Sequence, residues 1–229
     1  MKTDHKYTNI LVACECSGRI RSNLRGLGFN AYSCDIKPAE DGSEFHIQGD
    51  ALRALHAMEW HGLIAHPVCT RLSNSGRRWL HNPPSGKTHV EMWKNFFAGA
   101  DFYCAFRDAS HIPCRAIENL IMHDHAREYI SPRNVQFVQP WHFGDEAFKA
   151  TGFERVNLPK LEHWHTREQM NPPSKKTEPE RHAQWSKVHL ASPGKNRATL
   201  RSRTFPGIAN AIAVQWGAAI HQERVNPQI

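Results

Sequence analysis

The stretch His66-Pro67-Val68-Cys69-Thr70-Arg71-Leu72-Ser73-Asn74-Ser75-Gly76 sets a cysteine just past a short apolar run and just before a Ser/Asn/Gly loop that carries arginine. A thiol held there beside positive charge is suited to nucleophilic work, because the thiolate is the reactive form and nearby cations favour it. A cysteine is also a small residue that fits where a strand gives way to a loop. Four more polar groups bear on the choice: Glu15, Asp35, Asp50 and Glu118 each lie just beyond a predicted strand, as Cys69 does. In an open α/β sheet the carboxyl ends of the strands are where ligands bind. Any one of the five could be no more than a polar strand terminus; all five on one rim read as a site.

The elements that must position them alternate between apolar runs and helical patterns, the sequence form of βαβ units and a parallel sheet. Asn9 to Ala13 reads as a strand running into a turn at Ser17-Gly18, and "RIRSNLRGLG" as about two helical turns closing at Gly28. A second strand ends at Asp35, and a third ends near Asp50 with a short helix running on to Trp60. "GLIAHP" is the fourth and "CRAIEN" the fifth. Between them Val90, Trp93, Phe96, Phe97, Ala100, Tyr103 and Cys104 recur at three- and four-residue spacings, which predicts an amphipathic helix from Val90 to Arg107.

A chain of 229 residues with 40% hydrophobic content suits one α/β domain with an appendage, or at most two small domains. Neither a membrane span nor a signal peptide is visible, so a cytoplasmic protein is expected. The six cysteines form no CxxC pair; Cys14, Cys16, Cys34, Cys104 and Cys114 read as core thiols. The net charge of +7 and the pI near 9.2 favour a polyanionic partner, nucleic acid first. Histidines number 16, and His123-x-His125 and His163-x-His165 would place imidazole pairs on one side of a strand, but without the Cys or carboxylate set typical of zinc, so no metal is expected. His66 reads equally as a strand-end hydrogen-bond partner or as a residue that orients the loop. Trp79 and Trp141 read as packing residues; Trp164 and Trp185, in a polar segment, read either as packing or as stacking platforms for bases.

The rim suits a nucleoside cofactor. A turn at Ser17-Gly18 lets backbone N–H groups approach a ligand, a carboxylate ending the second strand accepts both ribose hydroxyls, and Asp50 could accept from an exocyclic amino group. The turn lacks G-x-G-x-x-G and with it a pyrophosphate cradle, which turns the expectation from dinucleotides to S-adenosylmethionine.

At these residues the chain resembles the DNA cytosine-5 methyltransferases. Cys69-Thr70-Arg71-Leu72-Ser73-Asn74-Ser75-Gly76 keeps the Cys, Ser and Gly of the family's Pro-Cys-Gln loop at matching offsets, Glu118-Asn119-Leu120 looks like its Glu-Asn-Val signature, and "TFPGIANAIAVQWGAAI" resembles its last motif. Small phage- and prophage-type cytosine methyltransferase-like proteins are closer still, through "HPVCTRLSNSG", "QPWHFGDEAFKAT" and "SRTFPGIANAIAVQWG". The resemblance implies a class I methyltransferase fold, α/β with a Rossmann-like, mostly parallel sheet. It divides the chain into a core at 1–153, a short basic recognition segment or loop at 154–203, and a C-terminal helix at 204–229 that returns to the core. It implies methyl transfer from S-adenosylmethionine to C5 of a flipped-out or single-stranded cytosine in DNA, by a monomer of phage or prophage origin in a bacterial host. Cys69 would add to C6, Glu118 would protonate N3 and Asn119 would fix that carboxyl. The cofactor would meet Glu15, Ser17, Gly18, Asp35, Ile36, Asp50, His66, Pro67 and Asn210. DNA would meet Arg71, Ser73, Ser75, Arg77, Arg78, Lys149, Arg201 and Arg203, with Arg71, Arg77 and Arg78 also lowering the pKa of Cys69.

The chain departs from the family at three places. Val68 stands where the family has Pro, no Gln-x-Arg-x-Arg element follows Glu118, with Lys149 the substitute cation, and only Glu154 to Arg203 leaves room for sequence reading. Val68 and the missing arginine element keep open a fold-retaining protein that binds S-adenosylmethionine or DNA with little or no transfer; a methyltransferase of free pyrimidine nucleotides, which would need the same thiol and acid but not the basic segment, is the other alternative.

Overall fold

The computed structural model describes residues 4–119, 121–190 and 201–227. The order of elements begins β1 (Asn9–Ala13), α1 (Arg19–Gly26), β2 (Asn30–Asp35), β3 (His46–Gln48), α2 (Ala51–Ala54), β4 (Gly62–Ala65), α3 (Asn74–His81), α4 (His89–Arg107) and β5 (Cys114–Asn119). It continues with α5 (Asp124–Ile130), β6 (Val135–Val138), β7 (Thr151–Val156), α6 (Arg167–Met170) and α7 (Pro179–Trp185). A C-terminal helical run follows as Pro206–Ala211, a wider π-helical turn Ile212–Trp216, and Gly217–Val225.

The seven strands form one sheet in the order β3-β2-β1-β4-β5-β7-β6. β7 runs antiparallel to β5 and β6, and the other pairings are parallel. This is the Rossmann-like, mostly parallel α/β sheet expected from the sequence. β1 and β4 are buried on both faces, so they read as continuous apolar runs. Leu11, Ala13, Leu63, Ala65 and Ile117 face a core shared with α4 and α5, whereas Ile10, Val12, Ile64 and Ala116 face α1 and the C-terminal run.

Several expectations need correction. The third strand is only three residues long, and its helix stops at Ala54 rather than reaching Trp60, whose indole N–H takes the Ala54 carbonyl instead. The long helix is present, but its buried stripe is Met92, Phe96, Ala100, Tyr103 and Phe106; Val90 is 78% and Phe97 40% exposed. Its start is set by a Thr88/Glu91 capping box, not by the apolar period. Residues 74–81, expected as loop, form α3. The boundary between 153 and 154 runs through β7, where Glu154 and Arg155 are buried. Beyond it, residues 191–200 of the basic segment lie outside the described residues. None of the described helices is long and apolar enough to cross a membrane.

Candidate active site

The chain passes from β1 to β2 and β3 on one side, then returns to β4 and β5 on the other, so the ends of β1 and β4 mark the point where strand order reverses. A crevice opens outside the carboxyl ends there. On the β1 side Cys14 takes a left-handed backbone conformation (φ 58°), turning the chain out of the strand, and Gly18 does the same (φ 69°) at the start of α1. Glu15 is buried between these turns. One of its oxygens accepts from Ile20 N (3.2 Å) and from the Ser17 hydroxyl (2.9 Å), so it holds the first turn of α1; the other, Oε2, has no partner among the described residues.

Asp35 ends β2 and holds its own turn, accepting from Lys37 N at 2.9 Å, and Ile36 beside it is 77% exposed. Asp50 caps α2 by accepting from Leu52 N at 2.8 Å. Burial foremost, then the charges of Asp35 and Asp50, raises the Cys14 thiol far above its ordinary range. Burial likewise pushes Cys34 up to about 11 and Cys114 up to about 12, so these thiols stay protonated and inert, as core residues do. The C-terminal run closes this side: Arg19 donates to the Thr204 carbonyl, and Gly207 N to Asp145. Asn210 on that run is exposed, Pro67 is buried, and Ser17 is half-buried.

On the other side the loops after β4 and β5 are laced together. Ser73 pairs with Met122, Asn74 N donates to the Ile121 carbonyl and His123 N to that of Leu72. The Cys69 carbonyl accepts from both Leu72 N and Ser73 N at 3.0 Å, curling the chain into α3. Gly76 closes that curl, since a Cβ there would run into the Thr70 carbonyl. Glu118 and Asn119 stand at the end of β5, beside the end of β4. Both polar atoms of the Asn119 amide are buried without a partner among the described residues, as is His66 Nε2. Of seven such atoms four belong to Glu15, His66 and Asn119, so the unpaired buried polar groups gather at this rim, and native proteins leave few such groups unpaired. Leu120 of the signature lies outside the described residues.

Glu118 is held ionised. Burial pushes its carboxyl up, but the contact with His66 and the charges of Lys149 and His66 outweigh this and bring it below the ordinary glutamate range. Lys149 is itself buried, with Nζ 3.5 Å from the Arg203 carbonyl; it is an interior cation of the site rather than a phosphate-facing one. No spacing in the sequence signals that placement, because Lys149 reaches the site from the connection between β6 and β7.

Other expected partners of DNA are committed elsewhere. Arg77 makes two hydrogen bonds to Asp124 on α5 (2.7 and 2.8 Å), and Arg203 pairs with Glu40 at 2.7 Å. Arg78 lies over the Trp79 ring, 4.2 Å from its centroid, while Arg71 and Arg201 are half-buried. The Ser73 and Ser75 hydroxyls bond each other at 3.0 Å. Trp185 is 2% exposed against Phe148, a packing residue, whereas Trp164 is 40% exposed. His123 and His125 sit at the start of α5, not on a strand: His123 accepts from Ala126 N and donates through Nε2 to the Arg71 carbonyl. Burial, first among several causes, lowers its pKa. Among the described residues no three His, Cys, Asp or Glu side chains gather as for a metal.

No protein-family model matches the sequence, and no curated protein matches it. Among solved structures it is similar to the methyltransferase EhMeth of Entamoeba histolytica, with a TM-score of 0.42 and 13% identity over 69% of this chain and 57% of that one. It is also similar to a DNMT2 mutant of Spodoptera frugiperda, with a TM-score of 0.40 and 10% identity over 69% of this chain and 54% of that one. The chain thus spans a little over half the length of either.

Proposed function

We propose that the protein is an S-adenosylmethionine-dependent methyltransferase that modifies C5 of cytosine in DNA through a covalent adduct with Cys69. The observation that carries this reading is the lacing of the Cys69 loop to the chain that follows Glu118 and Asn119. It sets a thiol, a carboxylate and an unpaired amide on one rim of the sheet.

The residues present fit the cofactor. The unpartnered Glu15 Oε2 suits an ammonium group, Asp35 a ribose and the exposed Ile36 an adenine face, with Ser17, Gly18, Asp50 and Pro67 around them. When bound, S-adenosylmethionine supplies an electrophilic methyl group for C5. Cytosine C5 is a weak nucleophile until a thiolate adds to C6 and a proton reaches N3. In this reading Cys69 adds, Glu118 faces N3, and the Asn119 amide, otherwise unpaired, meets the base or Glu118. A base stacked in duplex DNA exposes neither carbon, so the substrate is flipped out or single-stranded. Arg71, Arg78 and Arg201 are the cations left to meet phosphates.

The test is incubation with labelled S-adenosylmethionine and 5-fluorocytosine-containing DNA, beside Cys69→Ser, followed by denaturing electrophoresis. Fluorine at C5 prevents release after transfer. A labelled protein–DNA band that is absent in the variant is the expected result. Cofactor binding with no band on single- or double-stranded DNA would overturn the DNA reading and turn attention to free nucleotides or to a binding role.

A further inference from the structure

The sheet register itself brings His66 to Glu118. β4 and β5 run parallel with Ala65 opposite Ile117, so the next residue outward on each strand is His66 and Glu118. His66 Nδ1 lies 3.6 Å from Glu118 Oε2, both side chains being nearly buried (9% and 13% exposed). That is ion-pair range, slightly longer than a hydrogen bond. The His66 backbone N–H is tied to the Ala13 carbonyl at 2.9 Å, and the far ring nitrogen, Nε2, has no partner among the described residues.

We propose that His66 is a positioning residue that holds the proton Glu118 delivers to the base, the two side chains working as one acid across the Nδ1–Oε2 contact. The inference rests on the cytosine reading above and deepens it. An N3 acid must carry a proton, and Glu118, under the charges of Lys149 and His66, is ionised. The His66 imidazole lies within ion-pair range of that carboxylate and is placed to pass it a proton.

The step balances. As the Cys69 thiolate forms its bond to C6, the C5–C6 π pair moves toward the C4–N3 side of the ring. The ionised Glu118 carboxylate takes the Nδ1 proton of the His66 imidazolium, and N3 takes that proton from it in turn, leaving Glu118 ionised. The imidazole ends neutral. Once C5 carries the methyl group, a solvent base takes the C5 proton, its bonding pair re-forms C5=C6 as the C–S bond breaks and the thiolate leaves, the N3 proton returns to the pair, and nothing is oxidised or reduced.

Two measurements test this. The first is a ¹⁵N-imidazole NMR titration of the protein without cofactor or DNA, wild type against Glu118→Gln. The expected result is a His66 midpoint higher in the wild type, because the carboxylate stabilises the imidazolium; equal midpoints would overturn the proposal whether or not the protein methylates DNA. The second is the pH profile of methyl transfer in wild type and His66→Gln. Here kcat should fall about 100-fold at neutral pH and the optimum should move to lower pH, with KM for cofactor and DNA little changed. An unshifted profile, or a raised cofactor KM with kcat intact, would overturn the proposal and leave His66 as a cofactor contact. Should no transfer be seen with any DNA, the function reading fails and the NMR result still decides the pair.

Discussion

At the scale of single residues, backbone geometry makes as many demands as side-chain chemistry. Cys14 adopts a conformation that β-branched residues avoid. Cys14→Val should therefore lower the melting temperature while Cys14→Gly is tolerated, and calorimetry of the two would decide it; equal losses would mean that thiol packing, not the turn, sets the requirement. Gly76 is needed for a different reason, the close approach of the Thr70 carbonyl. Gly76→Ala should cost transfer activity at least tenfold, about 1.4 kcal/mol of barrier, and lower the melting temperature as well, because the curl it closes carries both Cys69 and the core residue Leu72. Retained activity in that variant would mean the loop rearranges freely.

At the scale of elements, the antiparallel strand β7 depends on a buried acid. Glu154 accepts from the Tyr103 hydroxyl (2.9 Å) on α4 and from Arg133 N (2.8 Å) before β6, so one carboxyl ties a helix, a strand and a connection. Burial, the largest effect, raises its pKa. Tyr103→Phe strips one partner from a buried acceptor, and a loss of about 1–3 kcal/mol is expected in urea unfolding; a loss within error would show that water replaces the hydroxyl. The arginines around α3 make a second case. Arg77 is held by Asp124 whereas Arg78 has no ion-pair partner among the described residues. Arg78→Ala should reduce the salt dependence of DNA affinity by about one ion, and Arg77→Ala by less, as measured by anisotropy titrations across salt concentrations.

At the scale of the whole molecule, histidines at packing and capping positions make the fold sensitive to acid. His123 caps α5 and reaches back to the Cys69 loop, His142 stacks on His163 at 3.7 Å, and His221 meets Thr8 at 2.9 Å, joining the C-terminal run to the start of β1. Burial first lowers the pKa of each, that of His142 to about 4, where the His163 charge adds to the effect. The unfolded chain protonates these rings near 6.5, before the folded chain does, so below that pH the unfolded state binds more protons. The stability they contribute is full above about 6.5 and declines as pH falls toward the folded values. The urea midpoint should drop between pH 7 and pH 5, and His142→Asn, which keeps an acceptor for Gln139 N, should flatten that drop. An equal drop in wild type and variant would remove His142 from the account.

How far the sequence reaches follows from which forces are local. The apolar runs of β1, β4 and β5 and the polar residues that end them are local patterns, and they sufficed for five parallel strands with Glu15, Asp35, Asp50, Cys69 and Glu118 near their ends, but not for the antiparallel edge of β7 and β6 or for the strand order. Period alone could not choose the buried face of α4, since that helix is apolar on more than one side and the sheet takes only one stripe. Nor does α3 announce itself: Asn74, Ser75 and Gly76 read as loop, and only their lacing to residues 121–123 makes the turn a helix start. The placement of Lys149 near Glu118, the pairing of Arg77 with Asp124 and of Arg203 with Glu40, and the meeting of His66 with Glu118 join segments 31 to 163 residues apart or depend on strand register. Sequence determines which groups stand at strand ends because hydrophobic period is a neighbour effect. Which of those groups touch is decided by the order and register of strands, and these are settled only when the whole sheet is assembled.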